Sequence, residues 1–305
     1  MSNSHGDENF APMPIIVGAA RSGTTLLRLM LDAHPELCIP PETGFIPEAA
    51  ALIGEDIYVR ESFLKLVVQS QSWPDFNLSL DNFWNELAYI CPFDVSEGLR
   101  CFYRLYSARF NKKRWGDKTP VYCLGMLEIQ RVLPEAHFIH IIRDARDAAL
   151  SVLGLWFAPG TDLETIALDW SRRIQKTRAL GKICHHYMEI KYEDLIRNYR
   201  VELLKICEFL GLPYDLQMER YFETSKMRLD EVKTVYKPDG SVLITKEERL
   251  YNHRFTSQPP QVSRIFRWKK EMSQEMRVKF ESVAGDMLRE LGYETLEGAH
   301  SEHRS

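Results

Sequence analysis

The first clear pattern in the chain is the apolar run Ile15-Ile16-Val17, whose β-branched content predicts a buried strand over 14–18. A turn bounded by Gly18 and Gly23 follows, and then apolar positions at helical spacing from 24 to 31. Leu37-Cys38-Ile39 predicts a short strand that ends at Pro40-Pro41. Residues 45–110 carry Phe63, Leu64, Val67, Phe83, Trp84, Leu87, Tyr103 and Tyr106 without the alternation of a strand, so this stretch reads as helical. Beyond it come a strand candidate at 114–118, a helix at 126–133 closed by Pro134, and an apolar strand at 137–143 running into a helix at 144–155. A long amphipathic helix is expected at 163–183, a strand at 187–192, and a helix at 201–210 ending in Gly211-Leu212-Pro213. Residues 225–260 are charged and broken by Pro and Gly, and read as irregular: a lid or a plain surface excursion. A last helix at 272–291 presents Phe280, Val283, Met287 and Leu291 as its core face.

Strands alternating with helices predict an α/β fold, a P-loop-like parallel sheet flanked by helices, with a helical insertion over about 45–110. A single domain over 13–295 is expected, between disordered tails at 1–12 and 296–305. Ligands in such sheets gather at the carboxyl ends of the strands. Arg21, Glu42, Lys118 and Arg143 all fall at those ends. The formal net charge of −4 argues against a nucleic-acid surface. The polar, acidic stretch 1–10 lacks the basic and apolar regions of a leader, and no apolar run approaches the ~20 residues of a membrane span. The expectation is therefore a cytoplasmic protein without a membrane partner. The six cysteines show no C-x-x-C and no metal-ligand spacing, so no metal is expected.

The chemistry concentrates in Gly18-Ala-Ala-Arg21-Ser22-Gly23-Thr24-Thr25. This is a Walker-type frame, in which successive backbone N–H groups surround an anion at a helix N-terminus. Thr24 stands where an NTPase has lysine, and the cation sits earlier, as Arg21. The loop thus suits a phosphate or sulfonate more than a magnesium-bound triphosphate. A second cluster is Arg143-Asp144-Ala145-Arg146-Asp147, with Ser151 about two helical turns beyond Arg143. Arg143 and Ser151 either grip a second anionic group, or the two arginines pair with the two aspartates at the helix start.

These segments, with Lys191-Tyr192-Glu193-Asp194-Leu195 and Phe209-Leu210-Gly211, together resemble the sulfotransferases that use 3′-phosphoadenosine 5′-phosphosulfate (PAPS). The resemblance implies that Arg21, Ser22, Gly23, Thr24 and Thr25 hold the 5′-phosphosulfate, that Arg143 and Ser151 hold the 3′-phosphate, and that Tyr192 approaches the nucleoside. Pro40-Pro41-Glu42-Thr43 is similar to the protein-tyrosine branch and bacterial-type soluble members, which implies Glu42 as general base. Lys118, in Gly116-Asp117-Lys118-Thr119-Pro120, is implied as the cation that steadies the leaving phosphate together with Arg21. In the late segment, Ser257 and Arg267 are implied as phosphate contacts. Gly44 stands where the protein-tyrosine branch has the arginine that reads acidic peptides, so a small alcohol or phenol is the expected acceptor. Two other readings of the same loop are an atypical P-loop kinase or NTPase, and a non-catalytic nucleotide-binding protein. His140 is expected in the core. His253 falls in the irregular stretch, from which it could reach an acceptor, and is assigned no role.

Overall fold

A computed structural model describes residues 10–54 and 58–296. The outer parts of the two expected tails, 1–9 and 297–305, lie outside the described residues. The chain runs β1 (Met13–Val17), α1 (Thr24–Asp32) and β2 (Leu37–Cys38), then the helices α2 (Ile46–Ala51), α3 (Val59–Val68), α4 (Trp73–Phe76), α5 (Leu80–Ala88) and α6 (Val95–Ala108). It returns through β3 (Arg114–Trp115), β4 (Asp117–Lys118), α7 (Met126–Val132), β5 (Ala136–Ile142), α8 (Ala145–Val152) and α9 (Leu163–Gly181). It then forms β6 (Tyr187–Lys191), α10 (Tyr192–Arg197), α11 (Tyr199–Phe209) and α12 (Phe222–Leu229). Last come β7 (Val235–Tyr236), β8 (Val242–Ile244), α13 (Lys246–Asn252), α14 (Trp268–Glu271) and α15 (Gln274–Glu290).

The central sheet has the order β4-β1-β5-β6, and every pairing in it is parallel. Every residue of β1 and β5 is buried, as both faces of a parallel sheet must be when helices cover them. Ile15 pairs with Phe138 and Ile142 with Lys191, so the strands end together on one side. That edge carries the candidate site. The insertion packs its rings against the sheet through Phe45, Phe76 and Phe102, with Phe76 and Phe102 edge to face at 4.9 Å.

The structure departs from the sequence pattern at six places. Residues 114–118 are two strands rather than one. A side chain at Gly116 would meet Pro14 at 2.6 Å, and at this glycine the chain leaves β2, the partner of β3, and joins β1 through β4. The helix expected to reach 155 stops at Val152, just before Gly154 turns left-handed at φ 80°. Tyr192 opens α10 instead of ending β6. Residues 225–260 hold an antiparallel hairpin, β7 with β8, and then α13, whose Thr245 and Glu248 form a reciprocal cap. In α15 the buried face is Phe280, Ala284, Gly285 and Leu288, with Leu291 buried just past its end, whereas Val283 faces out and Met287 is half-buried. Residues 10–12 and 296 are held rather than loose: Phe10 lies under the Arg100 guanidinium at 3.8 Å, the Pro12 carbonyl accepts from Arg114, and the Leu296 N–H donates to Glu281.

Candidate active site

The loop between β1 and α1 is fixed by close backbone packing. A side chain at Gly18 would meet the Ile141 carbonyl at 2.7 Å, so this residue must be bare for the loop to lie on β5. Gly23 has φ 100°, and a side chain there would come within 2.3 Å of the Tyr192 ring. Arg21 adopts φ 65°, a left-handed conformation that few non-glycine residues take. Gly23 caps α1 without a side-chain acceptor, so the first-turn N–H groups remain available at the positive end of the helix dipole. The Ser22 hydroxyl and the Arg21 Nε are buried without a protein partner. Burial, and then the neighbouring Arg143, Arg254 and Arg264, push the Arg21 guanidinium down to about 10.

Arg143 leaves the end of β5 and is 5% exposed. It donates to the Arg21 carbonyl at 3.1 Å and the Arg264 carbonyl at 2.8 Å, and lies 4.3 Å over the Tyr192 ring. Its nearest carboxylate, Asp147, is 3.8 Å away, and its Nε has no partner. Arg146 behaves differently: it is bound to Asp144 at 2.8 Å and Glu281 at 2.6 Å, all buried. The two arginines of this cluster thus separate, one into the site and one into a structural ion-pair group.

Lys118 ends β4 and is 3% exposed. Its ammonium contacts the Glu42 carboxylate and lies 3.4 Å from the Thr25 hydroxyl of the anion loop. Burial pushes this lysine below its ordinary value, and the Glu42 carboxylate opposes the shift. Asp117 is not its partner, because successive strand residues face opposite ways. Asp117 instead accepts from Thr43 at 2.7 Å and Tyr103 at 2.8 Å, and burial raises its carboxyl above the usual range. Thr43 also meets the Tyr122 hydroxyl at 2.7 Å, while its N–H donates to Thr119 Oγ1 at 3.0 Å. This buried knot fixes the turn beside Glu42, whose own side chain is half exposed (51%). Sequence reasoning missed the knot. The out-and-in alternation of Asp117 and Lys118 was the available signal.

Arg21, Gly23, Thr24, Thr25, Glu42, Arg143, Ser151 and Tyr192 line one cavity of about 580 Å³. Ser22 and Lys118 are buried and do not line it. Beside it is a smaller hollow of about 190 Å³, lined by Arg21, Ser151, Arg254, Arg264 and Arg267. Arg254 and Arg264 were not foreseen, because each lies in a stretch with no helical or strand period. Arg267 pairs with Glu271 at 2.6 Å, and its Nη1 lies 3.5 Å from the Ser151 hydroxyl. Ser257 lines neither space and donates to the Arg254 carbonyl at 3.3 Å, while its neighbour Thr256 does line the main cavity.

A family profile described as "Sulfotransferase family" matches residues 12–216, about two thirds of the chain. The chain belongs to the sulfotransferase family. It is 25% identical over 301 residues to protein-tyrosine sulfotransferase A of Caenorhabditis elegans, covering 95% of this chain and 69% of that protein. It is 23% identical over 312 residues to the nodulation protein NoeE of Sinorhizobium fredii (strain NBRC 101917 / NGR234), covering 93% of this chain and 67% of that one. Its fold matches the sulfotransferase domain from the curacin biosynthetic pathway with a TM-score of 0.59 at 17% identity, over 94% of this chain and 99% of that domain. The sulfotransferase domain of the Synechococcus PCC 7002 olefin synthase matches with a TM-score of 0.55 at 21% identity, over 90% and 94% of the two chains. Membership displaces the kinase or NTPase reading of the anion loop. Among the described residues of this sulfotransferase, no helix is long and apolar enough to cross a membrane.

Proposed function

We propose that this sulfotransferase moves a sulfuryl group from PAPS to the hydroxyl of a small alcohol or phenol, with Glu42 as general base. The observation that carries the reading is Lys118, which touches both Glu42 and Thr25 and so joins the proton acceptor to the anion loop. The donor set fits a nucleotide with two anionic ends. Ser22, Arg21 Nε and the uncapped start of α1 are unsatisfied at one end, and Arg143 Nε at the other, beside Ser151, whose hydroxyl donates to the Asp147 carbonyl at 2.9 Å and must turn to meet an anion. PAPS supplies an activated sulfuryl group on a phosphate leaving group. Glu42 takes the acceptor's proton, and Lys118 and Arg21 face the negative charge of the phosphate end, where cations in a water-poor site are worth most.

Charge pairing on the remaining wall supports this acceptor class. Arg249 is tied to the buried Asp75 at 2.6 Å and Arg173 to Asp169 at 2.7 Å, so neither offers a free cation to an acidic peptide. Trp156, Phe157, Val121 and Ile244 add apolar surface. That supports a neutral, largely apolar hydroxyl compound over the tyrosine peptides implied by the relatives' names.

The test is Glu42→Gln, assayed with PAPS and a panel of phenols, aliphatic alcohols and a tyrosine peptide flanked by acidic residues. Transfer should fall ~10²–10⁴-fold while the affinity for 3′-phosphoadenosine 5′-phosphate stays within about twofold of wild type. Unchanged transfer in the variant sinks the base assignment, and preferential turnover of the acidic peptide sinks the acceptor class. No turnover of any acceptor by the wild type leaves the non-catalytic reading standing.

A further inference from the structure

His253 lies at the carboxyl end of α13, half-buried, on the wall of the main cavity. Its placement is firm. The carbonyl of the preceding residue, Asn252, accepts from the Arg21 guanidinium at 3.1 Å, its own N–H donates to the Leu250 carbonyl at 3.0 Å, and its carbonyl accepts from Thr256 at 2.7 Å. Four cations act on its charge: Arg21, which lines the same cavity, Arg249 on α13 itself, and the buried Lys118 on β4 and Arg28 on α1. The carboxylates on the same wall are already engaged, Glu42 with Lys118 and Asp75 with Arg249. Three of these cations carry a carboxylate partner, Lys118 with Glu42, Arg249 with Asp75 and Arg28 with Glu231, so Arg21 is the cation beside the imidazole with no ion pair among the described residues. Burial first, and the four cations after it, hold His253 well below the ordinary histidine value, so it is neutral near pH 7.

A bound phosphate changes this field more than it changes any contact. Several negative charges placed in the cavity beside Arg21 offset the cations that keep the ring neutral, and they supply an acceptor for a charged N–H. We propose that His253 takes up a proton from solvent when a nucleotide bisphosphate fills the cavity, and returns it when the nucleotide leaves. The imidazolium adds a charge-assisted donor beside Lys118 and Arg21 only while the anion is present. The proton that Glu42 removes from the acceptor is a separate one. This proposal rests on the donor reading given above and extends it to a residue on the late segment of the chain.

Calorimetric titration with 3′-phosphoadenosine 5′-phosphate, in two buffers of different ionisation heat near pH 7, counts the protons exchanged on binding. Wild type should take up between about half a proton and one proton more than His253→Gln, and Glu42→Gln should match wild type. Equal counts for wild type and His253→Gln, with tight binding in both, overturn the proposal and leave the donor reading intact. Loss of the uptake in Glu42→Gln instead moves the proton to Glu42 and also overturns it. Absence of any binding overturns both readings. A measurement on the wild type alone guards against a variant that fails to fold. In ring-labelled histidine spectra near pH 7, one of the nine imidazoles must change from neutral to charged when the nucleotide is added, and an unaltered set of signals refutes the uptake.

Discussion

Gly23 meets two demands at one position: a φ of 100°, and room for the Tyr192 ring where a side chain would otherwise stand. Gly23→Ala therefore adds a left-handed penalty of about 1–2 kcal/mol and an overpacking cost of about 1–3 kcal/mol. Chemical denaturation should show a loss of about 2–5 kcal/mol, and adding Tyr192→Ala to the same chain should remove the steric part while leaving the backbone part. If the double variant shows no relief, the ring is not what makes the site tight. Arg21 shows the converse case, a left-handed residue that is not glycine. Its conformation serves its side chain, which reaches Asn252 and the arginines of the late segment. The glycines and the arginine of this loop were legible as a motif. The knot of Thr43, Asp117, Tyr103 and Tyr122 was not, since its members lie up to 79 residues apart and each alone reads as an ordinary polar or aromatic residue.

At the level of elements, α13 is a seven-residue helix that hands both Asn252 and His253 to the site. So short a helix has little intrinsic stability and depends on its cap and its tertiary ties. Thr245 and Glu248 cap it reciprocally, the Lys246 N–H donates to Thr234 at 3.2 Å, and Arg249 anchors it to Asp75. Thr245→Ala should cost about 1 kcal/mol locally. Hydrogen exchange should then speed up across 246–252 while β1 and β5 keep their protection. Uniform loss of protection would mean that this helix is welded to the core rather than separately fastened. The major elements were readable because strand and helix periods are strong where burial is complete, as in β5, or where one face is buried, as in α9. The hairpin of 235–244 was not readable: its strands are two and three residues long, bury only Ile244, and are too short to show a period. The break at Gly116 was hidden for a related reason. Only the neighbouring Pro14 forbids a side chain there, and Pro14 belongs to a strand that is remote in sequence.

Across the whole molecule, buried ion pairs join elements far apart in sequence: Arg228 with Asp32 at 2.7 Å, Arg100 with Glu135 at 2.8 Å, and Arg146 with Glu281 at 2.6 Å. No local pattern says which acid meets which base, so this layer of the fold could not be read ahead of the structure. The same burial that makes such pairs necessary leaves His140 at the centre of β5 with no compensating charge. It is fully buried, Nδ1 shares a hydrogen bond of 2.7 Å with the Tyr187 hydroxyl, and Nε2 has no partner. Tyr187 in turn donates to Glu189, so the ring is the neutral tautomer with its proton on Nδ1. Burial, followed by the nearby Arg178, lowers this histidine to about 3. Below about pH 6.5 the unfolded chain binds a proton on this residue and the folded chain does not, so stability falls as pH falls toward 3. The expected slope from this one group approaches about 1.4 kcal/mol per pH unit within that window. Asp117, Asp147 and Glu193 pull the other way, because burial raises their folded values and they gain stability as pH falls. The measured curve for the wild type is therefore a sum of opposing groups, and only a difference isolates His140. Denaturation of wild type and His140→Gln at several pH values between about 4 and 7 should give curves that diverge from parallel, with the variant losing less on acidification. Curves that stay parallel through that range would show that the ring is charged in the folded protein, or that water reaches it through the sheet.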